Sequence, residues 1–467
     1  MGETYDVVVV GGGAVGENAA ARAVRGGMTV ALVEAELLGG ECSYWACMPS
    51  KALIRTTQAV HAARAITGVR ADFDPADVLA RRNSFTSGWK DDSQVEWAHG
   101  AGITVVRGHA RLTGPRALTV ETSDGPLELD AHHAVVLATG SVPSEPPTPG
   151  LADTPHWSSR EATSAQAVPA RLAVIGSGVV GCELAQAYRR LGSTVTLVSR
   201  GTTVLDNLEP VASELVGAGL AKDGVTLHLG ADVERVHRDD AGVHVVLADG
   251  TDVLADELLV ATGRRPATAD VGVQTVGLEP GATLEVDDSG LVLGVAGRWL
   301  YACGDVTGRA PLTHQGKYAA RVVGDVIAAR AKGEPELTAP WGAHSATADH
   351  GAVPQVVFTD PEVAFVGRTV RQLDEAGIAH DVVEIDIAVA GSSLHADGYT
   401  GKAVMTVDTA SRTVLGVTFV GQDVAELVHA GTIAIVGEVP VERLWHAVPA
   451  YPTINEVWLR LLEAYGL

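Results

Sequence analysis

The run GGECSYWACMPSKAL, residues 39–53, places two thiols, Cys42 and Cys47, five positions apart, and Lys51 follows four positions later. Three chemistries suit such a pair: a metal site, two inert buried thiols, or a redox-active bridge. Zinc needs further ligands, and the other cysteines, Cys182 and Cys303, stand isolated in other motifs, so no metal site is expected. Inert thiols remain the packing alternative. A disulfide needs Cα atoms within about 7 Å, whereas five positions along an ideal helix rise about 7.5 Å. A bridge therefore demands a bent or unwound backbone between the cysteines. Pro49, just beyond, is consistent with a distorted or newly starting helix. Strained or accessible bridges tend to be the labile, catalytic ones. Between the thiols, Tyr44 and Trp45 either line a flat acceptor pocket or fill core volume.

Two further motifs carry nucleotide chemistry. YDVVVV at residues 5–10 is a β-branched run that leads into Gly11, Gly13 and Gly16, and the next apolar run ends at Glu34. This spacing predicts strand, tight turn and helix, a dinucleotide fingerprint in which Glu34 accepts hydrogen bonds from a ribose. The pattern recurs in RLAVIGSGVVGCELA, with Gly176, Gly178 and Gly181, but the following strand ends in Ser199 and Arg200. A carboxylate there favours a free ribose hydroxyl, whereas an arginine accommodates a 2′-phosphate. The second site therefore leans towards NADPH, with NAD the alternative.

These motifs must be mounted on a larger frame. A chain of 467 residues suggests about three domains. AVVLATGSVP (134–143) and ELLVATGRRP (257–266) echo each other as buried strands ending in Ala-Thr-Gly, then a proline that breaks regular structure. RWLYACGDV (298–306) ends in Gly304 and Asp305, where ligands bind in α/β sheets. After about residue 340 come short strands separated by turns, then an apolar helical stretch from Asp423 to Gly437, which reads as an α+β domain with an antiparallel sheet. With 34 Lys and Arg against 57 Asp and Glu, the net charge of −23 excludes nucleic acid as a partner. No run is long and apolar enough for a membrane helix, and the acidic N-terminus reads as neither signal peptide nor anchor. A cytoplasmic location is the expectation.

In this order, the Gly-rich start, the Cys-x-x-x-x-Cys-x-Pro-Ser-Lys run, both Ala-Thr-Gly segments, the second fingerprint, the Gly-Asp pair and the C-terminal segment resemble the pyridine nucleotide-disulfide oxidoreductases. That family includes dihydrolipoamide dehydrogenase, glutathione reductase and mercuric reductase, and the resemblance covers nearly the whole chain. It implies FAD on Gly11, Gly13, Ala14, Gly16, Glu34, Ala35, Gly40, Thr139, Gly140, Gly304 and Asp305. It implies a nicotinamide nucleotide on Gly176, Gly178, Gly181, Ser199 and Arg200, with Gly263 and Arg264 also at the cofactors. Cys47 would face the flavin as the charge-transfer thiol, and Cys42 would be the interchange thiol. Lys51 would pair with Glu183 beside the flavin's reactive nitrogen. Hydride would pass from nicotinamide to flavin, and an electron pair onward to the disulfide.

The implied architecture is α/β: an FAD domain (1–148 and 268–340), an NAD(P) domain (149–267) and a C-terminal dimerisation domain (341–467), in a homodimer with a small-molecule electron acceptor. The sequence departs from the family at its C-terminal His-Pro-Thr-x-Ser-Glu run, which the partner subunit contributes. Here Tyr451 replaces the His, and Glu456 closes the run. A free Tyr titrates near ~10 against ~6.5 for His, so at neutral pH it donates a hydrogen bond but accepts a proton poorly. His446 is the nearby replacement base to consider. Mercuric reductases are similar in having Tyr there, yet the chain ends EAYGL, without their terminal cysteine pair. The acceptor is thus expected to be a disulfide, a thiol-bound species or a metal ion. The alternatives are a quinone reduced directly by the flavin, or a dihydrolipoamide dehydrogenase-like role in a larger complex.

Overall fold

The computed structural model of the protein describes residues 2–467. The first of two compact units takes in residues up to Pro49, Asn83–Ser144 and Arg264–Asp349. The valine run forms strand β1 (Glu3–Val10), in which Val7, Val8 and Val9 are fully buried. That suits a parallel strand covered on both faces. On either side β1 pairs in parallel with β2 (Val30–Glu34) and with the strand Gly125–Leu137. Ile103–Arg107 lies beyond β2, and Leu300–Ala302 beyond Gly125–Leu137. The sheet is completed by two antiparallel strands, Ala117–Thr122 and His109–Gly114.

At the end of β1 the backbone reverses into helix α1 (Ala14–Arg25). No side chain fits this turn. Gly11 has φ +99°, and a Cβ on it would lie 2.4 Å from the Ala138 carbonyl oxygen, while one on Gly16 would lie 1.8 Å from the Gly11 oxygen. The second fingerprint repeats the constraint, with 2.4 Å at Gly176 and 2.0 Å at Gly181. Helix α1 also packs closely on the helix Thr313–Ala331, where a Cβ at Gly316 would stand 2.5 Å from Val15 Cγ2.

Ser50–Arg82, Glu145–Gly263 and His350–Leu467 make the second unit. Its parallel sheet runs Thr226–Leu229, Thr194–Ser199, Arg171–Ile175, Glu257–Val260. A three-stranded antiparallel sheet, Val233–Asp239, Gly242–Leu247 and Asp252–Ala255, accompanies it. The C-terminal segment forms the expected antiparallel sheet, with five strands in the order Gln355–Val357, Glu362–Gly367, Val414–Gly421, Lys402–Asp408, His380–Asp386. Its apolar helical stretch is realised as Val428–Val436. One hydrophobic core joins Leu184 and Tyr188 of the nucleotide-binding fold to Val357, Phe365 and Val420 of this sheet. Arg82 is fully buried there and donates to the carbonyls of Thr163 and Ala165.

Pro143 and Pro266 each end a short strand, as expected: Ser141–Pro143 and Arg264–Pro266 pair as a two-stranded antiparallel ladder that stops at the prolines. A proline is tolerated at such an edge, where its missing N–H has no ladder partner to lose.

Gly16→Ala is expected to destabilise the protein by more than ~2 kcal/mol, because backbone, not a flexible side chain, occupies the space a methyl needs. Chemical denaturation of both proteins checks this, and an unchanged midpoint would contradict it.

Candidate active site

The thiol pair sits at a break between helices. Short helix α2 (Gly40–Tyr44) stops at Trp45, with φ −137° and ψ 1°, and helix α3 (Cys47–Arg64) begins at Cys47 itself. Pro49 falls in the first turn of α3, where a missing N–H costs nothing. The interruption is the bend that a Cys42–Cys47 contact requires. Both cysteines are present as half-buried thiols, and Cys47 Sγ lies 3.3 Å from Thr313 Oγ1. The Cys42 thiol is hydrogen-bonded to Cys47, which, with burial, raises its pKa; the Thr313 hydroxyl and the Lys317 ammonium pull it down. Of the intervening aromatics, Tyr44 is 3% exposed and fills core, while Trp45 is only half-buried.

Helix α2 is fixed from several directions. Gly40 abuts Gly13, since a Cβ on it would lie 2.6 Å from Gly13 Cα. Arg264 donates to Glu41 Oε2 at 2.6 Å, and also to the Ser141 hydroxyl at 2.7 Å. Ser141 in turn donates to Asp305 Oδ2 at 2.6 Å. The Tyr44 carbonyl accepts from Trp89 Nε1 at 3.0 Å. Thr139 donates to the Ala267 carbonyl at 2.8 Å, just beyond the strand Arg264–Pro266.

One turn into α3, Lys51 Nζ donates to Glu183 Oε2 at 2.7 Å. Glu183 is 3% exposed, and its other oxygen accepts the Phe358 N–H at 2.9 Å. Lys51 also stands 4.9 Å above the Phe358 ring. The carboxylate is thus fully served, while the ammonium keeps an open side.

Both glycine fingerprints fit dinucleotides. Gly13 and Gly178 precede their helices without a side-chain cap, which leaves first-turn N–H groups available to a phosphate. A Cβ at Gly178 would meet nothing within 4 Å, an open approach for a pyrophosphate. Glu34 closes β2, with Oε2 accepting the Gly12 N–H and Oε1 the Glu36 N–H, both at 2.7 Å. Each oxygen keeps capacity for a ribose hydroxyl. Burial raises the pKa of Glu34, and these two bonds oppose the rise. At the second site Ser199 is bonded to Ser177 Oγ at 2.7 Å, and Arg200 is exposed.

Tyr451 is 77% exposed and His446 is exposed as well. Glu456 is buried at the start of the helix Glu456–Tyr465, where it accepts from Arg460 at 2.6 Å. Sequence reasoning missed Thr313, Lys317, Ser141 and Glu41. Ser141 and Glu41 adjoin motifs that were singled out, Ala-Thr-Gly and Cys42. Thr313 and Lys317 stand in a segment with no motif.

A dinucleotide-binding fold that carries a close thiol pair, with a second dinucleotide fingerprint in the same chain, defines a nucleotide-dependent redox enzyme. The family profile described as pyridine nucleotide-disulphide oxidoreductase matches residues 5–333, and the corresponding dimerisation domain matches residues 353–461. The chain belongs to this family, whose members use FAD and NAD(P)H. It is 31% identical to a mercuric reductase of Acidithiobacillus ferrooxidans, over 97% of this chain and 81% of that protein. It is equally 31% identical to a dihydrolipoyl dehydrogenase of Haloferax volcanii, over 98% of this chain and 95% of that one. Among solved structures, the copper(II) complex of the HOCl-induced flavoprotein disulfide reductase RclA from Escherichia coli superposes with a TM-score of 0.85 at 26% identity, covering 99% of both chains. No helix among the described residues is long and apolar enough to cross a membrane.

Lys51→Met is expected to strand the buried Glu183 carboxylate and cost ~2–3 kcal/mol, less than a fully buried pair because Lys51 is 36% exposed. Urea denaturation measures it; a loss under ~0.5 kcal/mol, the scale of a neutral surface change, would mean the Phe358 N–H alone satisfies Glu183.

Proposed function

We propose that the protein takes electrons from NADPH and passes them by way of FAD to a Cys42–Cys47 disulfide, then to a disulfide, thiol-bound or metal-ion acceptor. The observation that carries this reading is the thiol pair at the α2–α3 break, with the Lys51–Glu183 pair one turn beyond. The chemistry that FAD supplies when bound is conversion of a hydride equivalent into an electron pair for a disulfide. The residues that would hold it are Gly11, Gly13, Ala14, Gly16, Glu34, Ala35, Gly40, Thr139, Gly140, Gly304 and Asp305. Gly176, Gly178, Gly181, Ser199 and Arg200 would hold the nicotinamide nucleotide, and exposed Arg200 favours a 2′-phosphate. Lys51 would place a cation beside the flavin, neutralised in advance by its pairing with Glu183. Cys47 would face the flavin, and Thr313 supplies a hydroxyl that can donate to its thiolate. Cys42 would meet the acceptor.

In this reading the functional division is an FAD domain of 1–148 and 268–340, an NAD(P) domain of 149–267 and an interface domain of 341–467. The dimerisation domain carries exposed Ile433, Trp445, Val448 and Tyr451, at 58%, 38%, 82% and 77%. Exposed apolar groups of this kind mark interaction surfaces, which supports a homodimer in which residues 451–456 complete the partner's site. A cytoplasmic location agrees with paired cysteines kept for chemistry and not for structure.

Anaerobic titration of the holoenzyme with NADPH, and separately with NADH, tests the electron path. Uptake of about four electrons per subunit is expected, with a long-wavelength thiolate-to-flavin band at the halfway point. Uptake of about two with no such band would sink the disulfide step and favour direct reduction of a quinone-type acceptor. Sedimentation checks the dimer: a monomer with full turnover would overturn it.

A further inference from the structure

The proposed function leaves Cys42 without a proton acceptor, because Tyr451 stands where the family's His-Pro-Thr-x-Ser-Glu run carries His. The first unit holds a carboxyl group that no part of the site so far employs. Glu17 lies in α1, one position after the fingerprint's last glycine. Its Oε1 is buried with no hydrogen-bond partner among the described residues. Such a group is costly, since a buried oxygen forfeits its bonds to water.

The surroundings of Glu17 are set by the close crossing of α1 and the helix Thr313–Ala331 at Val15 and Gly316. This crossing brings Lys317 within electrostatic range of Glu17. Lys317 also acts on Cys42, and Thr313, one turn earlier on the same helix, touches both thiols. From α2, Tyr44 feels the charge of Glu17, and from β2 Glu34 is the remaining charged neighbour. Lys317 is the cation common to the carboxyl and the thiol.

We propose that Glu17 is the proton-holding partner of the interchange thiol and acts through Lys317, in place of the missing His. This rests on the reading that Cys42 meets the acceptor. Glu17 is a positioning residue, since it works through Lys317. With Cys42 as a thiol, Glu17 is ionised and balances Lys317. When Cys42 loses its proton, Glu17 takes one up, and Lys317 then balances the thiolate. The net charge of the buried group is the same in both forms, so neither leaves an uncompensated charge. The thiolate attacks one sulfur of an acceptor disulfide; the Cys42–acceptor S–S bond forms, the acceptor's own S–S bond breaks, and the leaving thiolate takes a proton from water as Glu17 releases one and again balances Lys317. Burial pushes the Glu17 carboxyl up to about 7, with Lys317 opposing and Glu34 adding. The group therefore exchanges protons near neutrality, protonated below that point and ionised above it.

The test is the pH dependence of Cys42 alkylation by iodoacetamide, located by mass spectrometry, in flavin-loaded wild type, Glu17→Gln and Lys317→Met. Each protein is reduced in one arm by NADPH and in another by a phosphine. In wild type an inflection near pH ~7 is expected. Glu17→Gln should remove it and speed alkylation about tenfold near pH ~8, where the wild-type carboxylate is ionised and competes with the thiolate for Lys317. Lys317→Met should slow alkylation about tenfold near neutrality. A Glu17→Gln profile that overlays wild type in the phosphine arm overturns the proposal. Cys42 labelled after phosphine but not after NADPH would instead sink the electron path, while the phosphine arm still decides the role of Glu17.

Discussion

Two sulfurs five residues apart can meet only where the helix between them stops. Everything around the thiol pair serves that constraint. Helix α2 ends at Tyr44 and α3 begins at Cys47, and the short helix is held by contacts with no tie to its own propensity. Gly40 is pressed on Gly13, Glu41 is paired with Arg264, and the Tyr44 carbonyl is bonded to Trp89. A helix of five residues is far too short to persist alone, so its tertiary neighbours define the break. The glycine turn at Gly11–Gly16 therefore braces the thiol pair as well as forming the fingerprint.

Three buried or part-buried carboxylates show three solutions to one electrostatic problem. Glu183 has a lysine on one oxygen and a backbone N–H on the other. Glu34 has only backbone N–H groups, one per oxygen, and stays ready for a ribose. Glu17 has an oxygen without a partner among the described residues, and burial raises its affinity for a proton. Burial raises the proton affinity of both Glu34 and Glu17, and only in Glu34 do backbone hydrogen bonds oppose the rise.

The fold was legible in the sequence wherever a local steric rule governs. The glycines at 11, 16, 176 and 181 are each excluded from carrying a side chain by a backbone oxygen, so their spacing announces the turn they make. The alternating strands after residue 340 were legible for the same local reason. The pairing of Lys51 with Glu183 spans 132 residues, and only the family resemblance suggested it. Pro143 and Pro266 end their strands as read, but the ladder that pairs those two strands joins distant segments, which no short window states. Tyr44 and Trp45 look alike in sequence but part company in burial. Thr313 and Lys317 were invisible because their relation to the thiols is created by two helices crossing at Val15 and Gly316. A carboxylate just after the fingerprint, in a helix otherwise rich in alanine, was the one available hint for Glu17.

Because the interruption between α2 and α3 is held by the frame and not by a sulfur–sulfur bond, the reduced pair already stands in a bridge-ready arrangement. Opening and closing such a bond then asks for little displacement of the polypeptide. Under the proposed electron path, low reorganisation of this kind would let the pair be cycled many times without exposing its surroundings.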